Sequence, residues 1–344
     1  MLTSKQVQEI KEHLEKAQNP VFFFDNDQDG LCSFLLLQRY IERGKGVAVK
    51  SFPDLDASYF RKVQELNADY IFILDKPVIS KSFFEEVAKV NLPVVWIDHH
   101  DVQIEIPDFV NYYNPLFNEN KTNEPVTALC YQVTQKKDDL WIAVVGCISD
   151  RFFPEFYSEF RKQFPELSID TKDAFDIFYK SDIGKISRTF GFGLKDRTTN
   201  VVSMLKFLTK AKGPYDILEE NSKNKSIHER FEFINKKYQK LLQKAMESGD
   251  SKLLFFEYGG DLSISGDLSN ELSYIFPKKI IVVGYVNGTR VNISARGKNV
   301  RDLIAKALIE ISDSRSGGHE CAVGAQVGLE NLEIFRKNLI KLLN

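Results

Sequence analysis

Cysteine is scarce in this chain. Cys32, Cys130, Cys147 and Cys321 are the only four among 344 residues and form no close pair, so neither a zinc knuckle nor a disulfide framework is indicated. Long apolar runs are missing as well. No stretch is long and apolar enough to span a bilayer, and MLTSKQVQEIKEHLEKA at the N-terminus is a charged amphipathic helix, not a signal peptide. Its apolar face carries Val7, Ile10, Leu14 and Ala17. A reducing cytoplasm is the expected compartment, with no membrane partner. An excess of positive charge is absent too. The net charge of −2 argues against a protein that coats nucleic acid, although it permits a narrow basic groove. There is no internal repeat and no low-complexity tract.

What is present suffices for two globular domains: 344 residues, 43% of them hydrophobic. Residues 20 to 100 alternate strand and helix. VFFFD (21–25) precedes a helix from Leu31 to Ile41, and VAVKSF (47–52) precedes one near 58–66. YIFILD (70–75) precedes SKSFFEEVAKV, and PVVWIDHH (93–100) ends the series. Continuous apolar strands between amphipathic helices predict an α/β domain with a parallel sheet and helices on both faces. A mostly helical region follows to about 215, with a helical insertion over 151–215. A helical linker spans 216–249, where Ile227, Phe231, Ile234, Tyr238, Leu241 and Ala245 trace one face. A smaller α+β domain occupies 250–344, where IIVVGYV and TRVNISAR flank Asn287-Gly288, a hairpin signal.

Acids gather at the strand ends. DNDQDG (25–30) matches the opening of an EF-hand loop, but the twelfth position is Leu36 where a bidentate Glu is needed, and the lead-in reads as a strand. Calcium of that kind is excluded. Asp75 ends YIFILD; Asp98, His99 and His100 end PVVWIDHH; Asp150 ends the helical WIAVVGCISD. In an open parallel sheet the ligand crevice lies outside the carboxyl ends of the strands. A single Asp there is ordinarily a helix N-cap or turn former. Four such sites outweigh that reading, because clustered carboxylates are costly unless protonated or metal-bound. Oxygen ligands with one or two imidazoles and no thiolate suit Mn²⁺ or Mg²⁺ ahead of Zn²⁺ or Co²⁺. Enough carboxylates are present for two ions about 3.5–4 Å apart, a usual arrangement for hydrolysing phosphate esters.

These segments resemble the four phosphoesterase motifs of the DHH family, in order across residues 20 to 150. DNDQDG is closer to the D-x-D-x-D-G form of RecJ-type nucleases than to the H-x-x-x-D-x-D form of pyrophosphatases. The resemblance implies that Asp25, Asp27, Asp29, Asp75, Asp98, His99 and Asp150 hold the metals. It makes Asp98 and His100 the catalytic pair, with His100 contacting the scissile phosphate or protonating the leaving oxygen.

The second domain carries GGHECAVGAQV (317–327). Paired glycines let a backbone approach a ligand, with the His319 imidazole beside them; the plainer alternative is a glycine turn ending a helix. NISARGK (292–298) puts Arg296 after a hairpin strand, where it can fork onto phosphate. Together they resemble the S-x-R and G-G-H motifs of the DHHA1 domain, with Gly297 where a serine is often found. The resemblance implies that Arg296, Gly317, Gly318 and His319 hold a terminal nucleotide across the interdomain cleft.

The expected function is therefore a Mn²⁺-dependent phosphodiesterase, an exonuclease of RecJ or nanoRNase type. It would release mononucleotides from single-stranded DNA or RNA or from short oligonucleotides. A chain of this length leaves no room for an OB-fold after the second domain, which favours short substrates. Basic residues over 151–215 read as a solvated helical face. Two alternatives stand beside this reading. A pyrophosphatase predicts a DHHA2-type second domain, and G-G-H counts against it. A non-catalytic scaffold, like the inactive RecJ-like subunit of the eukaryotic replicative helicase, predicts lost metal acids, whereas here all four motifs are filled. Replication or repair partners suit either nuclease or scaffold.

Overall fold

Five parallel strands form the first sheet: β1 (Pro20–Asp25), β2 (Lys45–Val49), β3 (Tyr70–Leu74), β4 (Val94–Ile97) and β5 (Val110–Tyr113). Their spatial order is β2-β1-β3-β4-β5. The computed structural model describes residues 1–50, 55–101, 105–248 and 252–343. Within it the chain divides into two units, Met1–Phe231 and Glu232–Asn344.

Alternate residues of the inner strands feed two cores. Phe22, Phe24, Phe72 and Leu74 pack with residues of the helices Ser4–Lys16, Gln28–Ile41 and Leu140–Ser149. Val21, Phe23, Ile71 and Ile73 pack with Phe60, Val63, Phe83 and Val87 of the helices Ala57–Glu65 and Lys81–Val90. Helices thus cover both faces, as the continuous apolar strands require. Each fully buried Phe contributes about 1.5–3 kcal/mol. That apolar burial supports a costly charged rim at the strand ends.

Several details differ from the sequence reading. The strand β5 is an addition to it: VNYY is short and only half-buried at its centre, as an edge strand can be. The strand expected over 47–52 runs Lys45–Val49, and residues 51 and 52 lie outside the described residues, as does the boundary at 249–250. The region 151–215 is not an appendage. Its Tyr157, Phe160, Ile177, Ile186, Phe190 and Leu208 share one core with the helix Leu140–Ser149. In the long helix Lys225–Glu247, Leu242 is buried where Leu241 was expected.

The second unit holds β6 (Leu253–Gly259), β7 (Ile280–Asn287), β8 (Arg290–Arg296), β9 (Arg315–His319) and β10 (Ala322–Gly328). They form one sheet in the order β6-β7-β8-β10-β9, with only β6 and β7 parallel. Val282, Ile293 and Val323 pack against Val300 and Ile304 of the helix Val300–Leu308 and Phe335 of Leu332–Leu343. Asn287 pairs with Arg290, so the two-residue turn is Gly288-Thr289, one position later than expected. The glycine pair at 317–318 lies in a strand and not in a turn after a helix. No helix among the described residues is long and apolar enough to cross a membrane.

Candidate metal centre

The order β2-β1-β3 reverses the direction of winding between β1 and β3, and that switch point is where open α/β sheets leave a crevice. Asp25 ends β1, and Asp75 follows β3. Asp75 is the strained residue of the rim. It is 2% exposed and holds a left-handed φ of +59°, a conformation an L-residue adopts at a cost of about 1–3 kcal/mol. Its Oδ1 is buried with no hydrogen-bond partner among the described residues. The same oxygen lies 3.4 Å from His99 Nε2 and 3.8 Å from His100 Nδ1.

His99 is oriented from behind. Its Nδ1 lies 3.1 Å from Asn123 Oδ1, which fixes the tautomer with Nδ1–H donating and turns Nε2 toward the acids. Nε2 is also 3.6 Å from Asp150 Oδ2. Asp150 sits at the C-terminal end of the helix Leu140–Ser149, apolar up to its last residue. Two compact groups of donor atoms result, each within 4.8 Å: Asp75 with His99 and His100, and Asp29 with His99 and Asp150. An orphaned buried carboxylate oxygen facing a tethered imidazole fits a divalent cation.

The other acids have structural partners. Asp27 caps the helix Gln28–Ile41, its Oδ1 accepting the Gly30 N–H at 2.9 Å. Gly30 is required there, because a Cβ would lie 2.5 Å from the Asp25 carbonyl oxygen. Asp29 is fully buried, and its two carboxylate oxygens accept the N–H groups of Val126 and Thr127 at 2.9 and 2.7 Å. It thereby caps the helix Val126–Thr134. Asp98 Oδ1 accepts from His100 Nδ1 at 2.8 Å, and its Oδ2 lies 3.4 Å from the Tyr112 hydroxyl. Asp98 is therefore not in either donor group. It holds His100. Asp25 is paired at 2.8 Å with the buried ammonium of Lys76.

The electrostatics follow from crowding. Burial first, then the charges of Asp25, Asp150 and Asp29, push the Asp27 carboxyl well above its usual range. Burial and the charges of Asp29, Asp27 and Asp150 do the same to Asp75. Burial and Asp150 raise Asp29 to about 6, against the lowering effects of His99 and Thr127. Burial lowers the His100 imidazole, but the Asp98 bond and charge outweigh it, helped by Asp150 and Asp25, and the net direction is up. Metal-free, the rim is an acid cluster that resists ionisation.

Sequence reasoning missed Lys76, Asn123, Tyr112 and Thr127. Only Lys76 left a signal, as the charge next to Asp75 at the end of an apolar strand.

In the second unit the register sets Arg296 opposite Ala322 and Ala322 opposite His319. Arg296 and His319 thus lie in one row on three adjacent strands, with backbones roughly 10 Å apart. The Arg296 Nε donates to Asn270 Oδ1 at 2.6 Å. Gly318 has φ +137°, and a Cβ there would lie 2.4 Å from the Ala322 carbonyl oxygen, whereas one on Gly317 would meet nothing within 4 Å. One glycine serves the hairpin; the other leaves space.

The family model of the DHHA1 domain matches residues 249–344. No curated protein matches the chain. Among solved structures, RecJ in complex with Mn²⁺ from Thermus thermophilus superposes with a TM-score of 0.70 at 14% identity, over 97% of this chain and 53% of that one. The chain thus spans about half the length of that relative. A second structure, exonuclease RecJ bound to manganese, gives a TM-score of 0.63 at 12% identity over 98% and 94%. CDC45 from Entamoeba histolytica gives 0.52 at 10% identity over 98% of both chains. At such identities these likenesses establish the fold.

Proposed function

Taking the chain as a DHH/DHHA1 family member, with its DHHA1 domain at 249–344 and a RecJ-like fold along its length, we propose that it is a divalent-metal-dependent phosphodiesterase. Its substrates are single-stranded or short nucleic acids, cleaved to mononucleotides. The observation that carries this is Asp75: a strained backbone holding a buried, unpartnered carboxylate oxygen toward His99. Such strain persists where a site needs it.

His99 would hold Mn²⁺ or Mg²⁺ together with Asp75 on one side or with Asp29 and Asp150 on the other, with Asp27 behind them. Once bound, a divalent ion there polarises a phosphoryl oxygen and makes a nucleophile of water near neutral pH. Asn123 keeps the His99 ring turned inward. Asp98 orients His100 and favours its cationic form, so that His100 donates a hydrogen bond to the scissile phosphate or a proton to the leaving oxygen. Arg296, Gly317, Gly318 and His319 take the terminal nucleotide on the second unit, the arginine as a phosphate fork.

Timed digestion of end-labelled DNA and RNA, from dinucleotides to long single strands, tests the reading with Mn²⁺, with Mg²⁺ and with EDTA. Release of mononucleotides that stops with EDTA is expected. A complete lack of hydrolysis by protein shown to bind metal would leave the scaffold reading, which the likeness to CDC45 over 98% of both chains favours.

A further inference from the structure

Lys76 follows Asp75 at the end of β3 and is 2% exposed. Its Nζ donates to Asp25 Oδ1 at 2.8 Å. Its backbone carbonyl accepts the Trp96 indole N–H at 3.0 Å, which ties the segment to β4. Asp25 belongs to neither of the two donor groups around His99. We propose that Lys76 is a built-in counter-cation: its ammonium occupies Asp25, stands in for the second divalent ion that the carboxylate count suggests, and limits the rim to one ion.

The geometry around Asp25 and His99 supports this. An ammonium at hydrogen-bond distance occupies one carboxylate oxygen of Asp25. An ion seated on Asp25 would face that ammonium where water, and hence screening, is scarce. Turning Asp25 away to serve an ion would leave a buried lysine charged and unpaired, which is strongly unfavourable. On the other side of the rim, His99 offers metal a single nitrogen, because Nδ1 is bonded to Asn123. His99 therefore serves one ion, with Asp75 on one side or with Asp29 and Asp150 on the other.

The inference rests on the metal-dependent reading, and metal binding itself separates the two. Metal-free full-length protein is titrated with Mn²⁺ by calorimetry, and the loaded sample is examined by electron paramagnetic resonance. Wild type should take one Mn²⁺ per chain and give an uncoupled spectrum. Lys76→Met should take two and give a spin-coupled pair, while Lys76→Arg, which keeps the charge, should stay at one. Two ions on wild type, or one on both wild type and Lys76→Met, overturns the assignment. Should Lys76→Met fail to fold, Lys76→Gln, which removes the charge and keeps a hydrogen-bond donor for Asp25, decides by the same count: two Mn²⁺ per chain are expected, and one overturns the assignment. If wild type binds no Mn²⁺, the metal-dependent reading falls and takes this inference with it.

Discussion

The two units differ in how deeply they set most of their candidate residues, although Asp150 in the first is exposed and Arg296 in the second is half-buried. In the first, Asp75, Asp98 and His99 are at most 7% exposed. In the second, every residue of β9 from Arg315 to His319 is exposed. Chemistry on a phosphate gains from excluded water, because charges act strongly there and a metal is drawn in to offset clustered acids. Holding a flexible nucleotide does not need burial. An exposed strand end with an arginine and open glycine space can do it, with each contact worth only a modest net amount. Losses in the first unit should therefore appear in catalysis, and losses in the second in binding.

The sharpest test of that division is Asp75→Asn. Asparagine tolerates the left-handed backbone, so the fold should survive. Hydrolysis should fall by about three decades or more, since the ion loses a ligand. The metal-free Tm should rise by roughly 2–4 °C, because one buried charge is gone. Wild-type turnover, with the substitution confirmed by mass spectrometry, would break the comparison at its strongest point.

Next in size are Arg296→Ala and His319→Ala. Losing a charge-assisted phosphate contact costs about 1.5–3 kcal/mol, or roughly one to two decades in kcat/KM on dinucleotides. Hydrolysis of bis-p-nitrophenyl phosphate, which has no nucleotide to hold, should change little. Equal losses on both substrates would show that the second unit shapes the catalytic rim itself.

A pH series on metal-free protein comes third. Asp27, Asp29 and Asp75 have folded-state pKa values raised above those of the unfolded chain. Their protonated forms stabilise the fold below about pH 4, and that stability is lost as pH rises, for Asp29 through about 6. For Asp29 alone the loss is on the order of 3 kcal/mol at most. Thermal melts in EDTA should show wild type weakening from pH 4 to 7 more steeply than Asp75→Asn, and saturating Mn²⁺ should flatten the wild-type trend. Parallel trends for the two proteins in EDTA would mean that the rim is not an ionising cluster.

The smallest effect separates the two glycines. Gly318→Ala should destabilise the second unit by about 1–3 kcal/mol, because a Cβ meets the Ala322 carbonyl at a positive φ. Gly317→Ala should stay within about 0.5 kcal/mol in stability and yet weaken dinucleotide binding. Tm and inhibition by a product mononucleotide distinguish the two. An unchanged affinity for Gly317→Ala would remove it from the nucleotide site.

Much of this was legible in the sequence. The apolar runs ending in Asp25, Asp75 and Asp98-His99-His100 give strands with acids at their carboxyl ends, because covalent adjacency fixes which end of a strand a residue occupies. Composition and period gave helices on both faces. The edge strand β5 was not legible, since VNYY carries only a faint apolar signal. Nor was the strand character of Arg315–His319, whose glycines mask the pattern.

The sequence by itself determined that acids and imidazoles would gather at one rim. Only the tertiary structure decided what each does there. The order β2-β1-β3-β4-β5 makes β1 and β3 neighbours across the switch point and brings Lys76 to Asp25 over 51 positions. Packing of the helix Val126–Thr134 turns Asp29 into its cap across 97 and 98 positions. Partner choice at such separations depends on strand order and packing, which local patterns of residues do not encode.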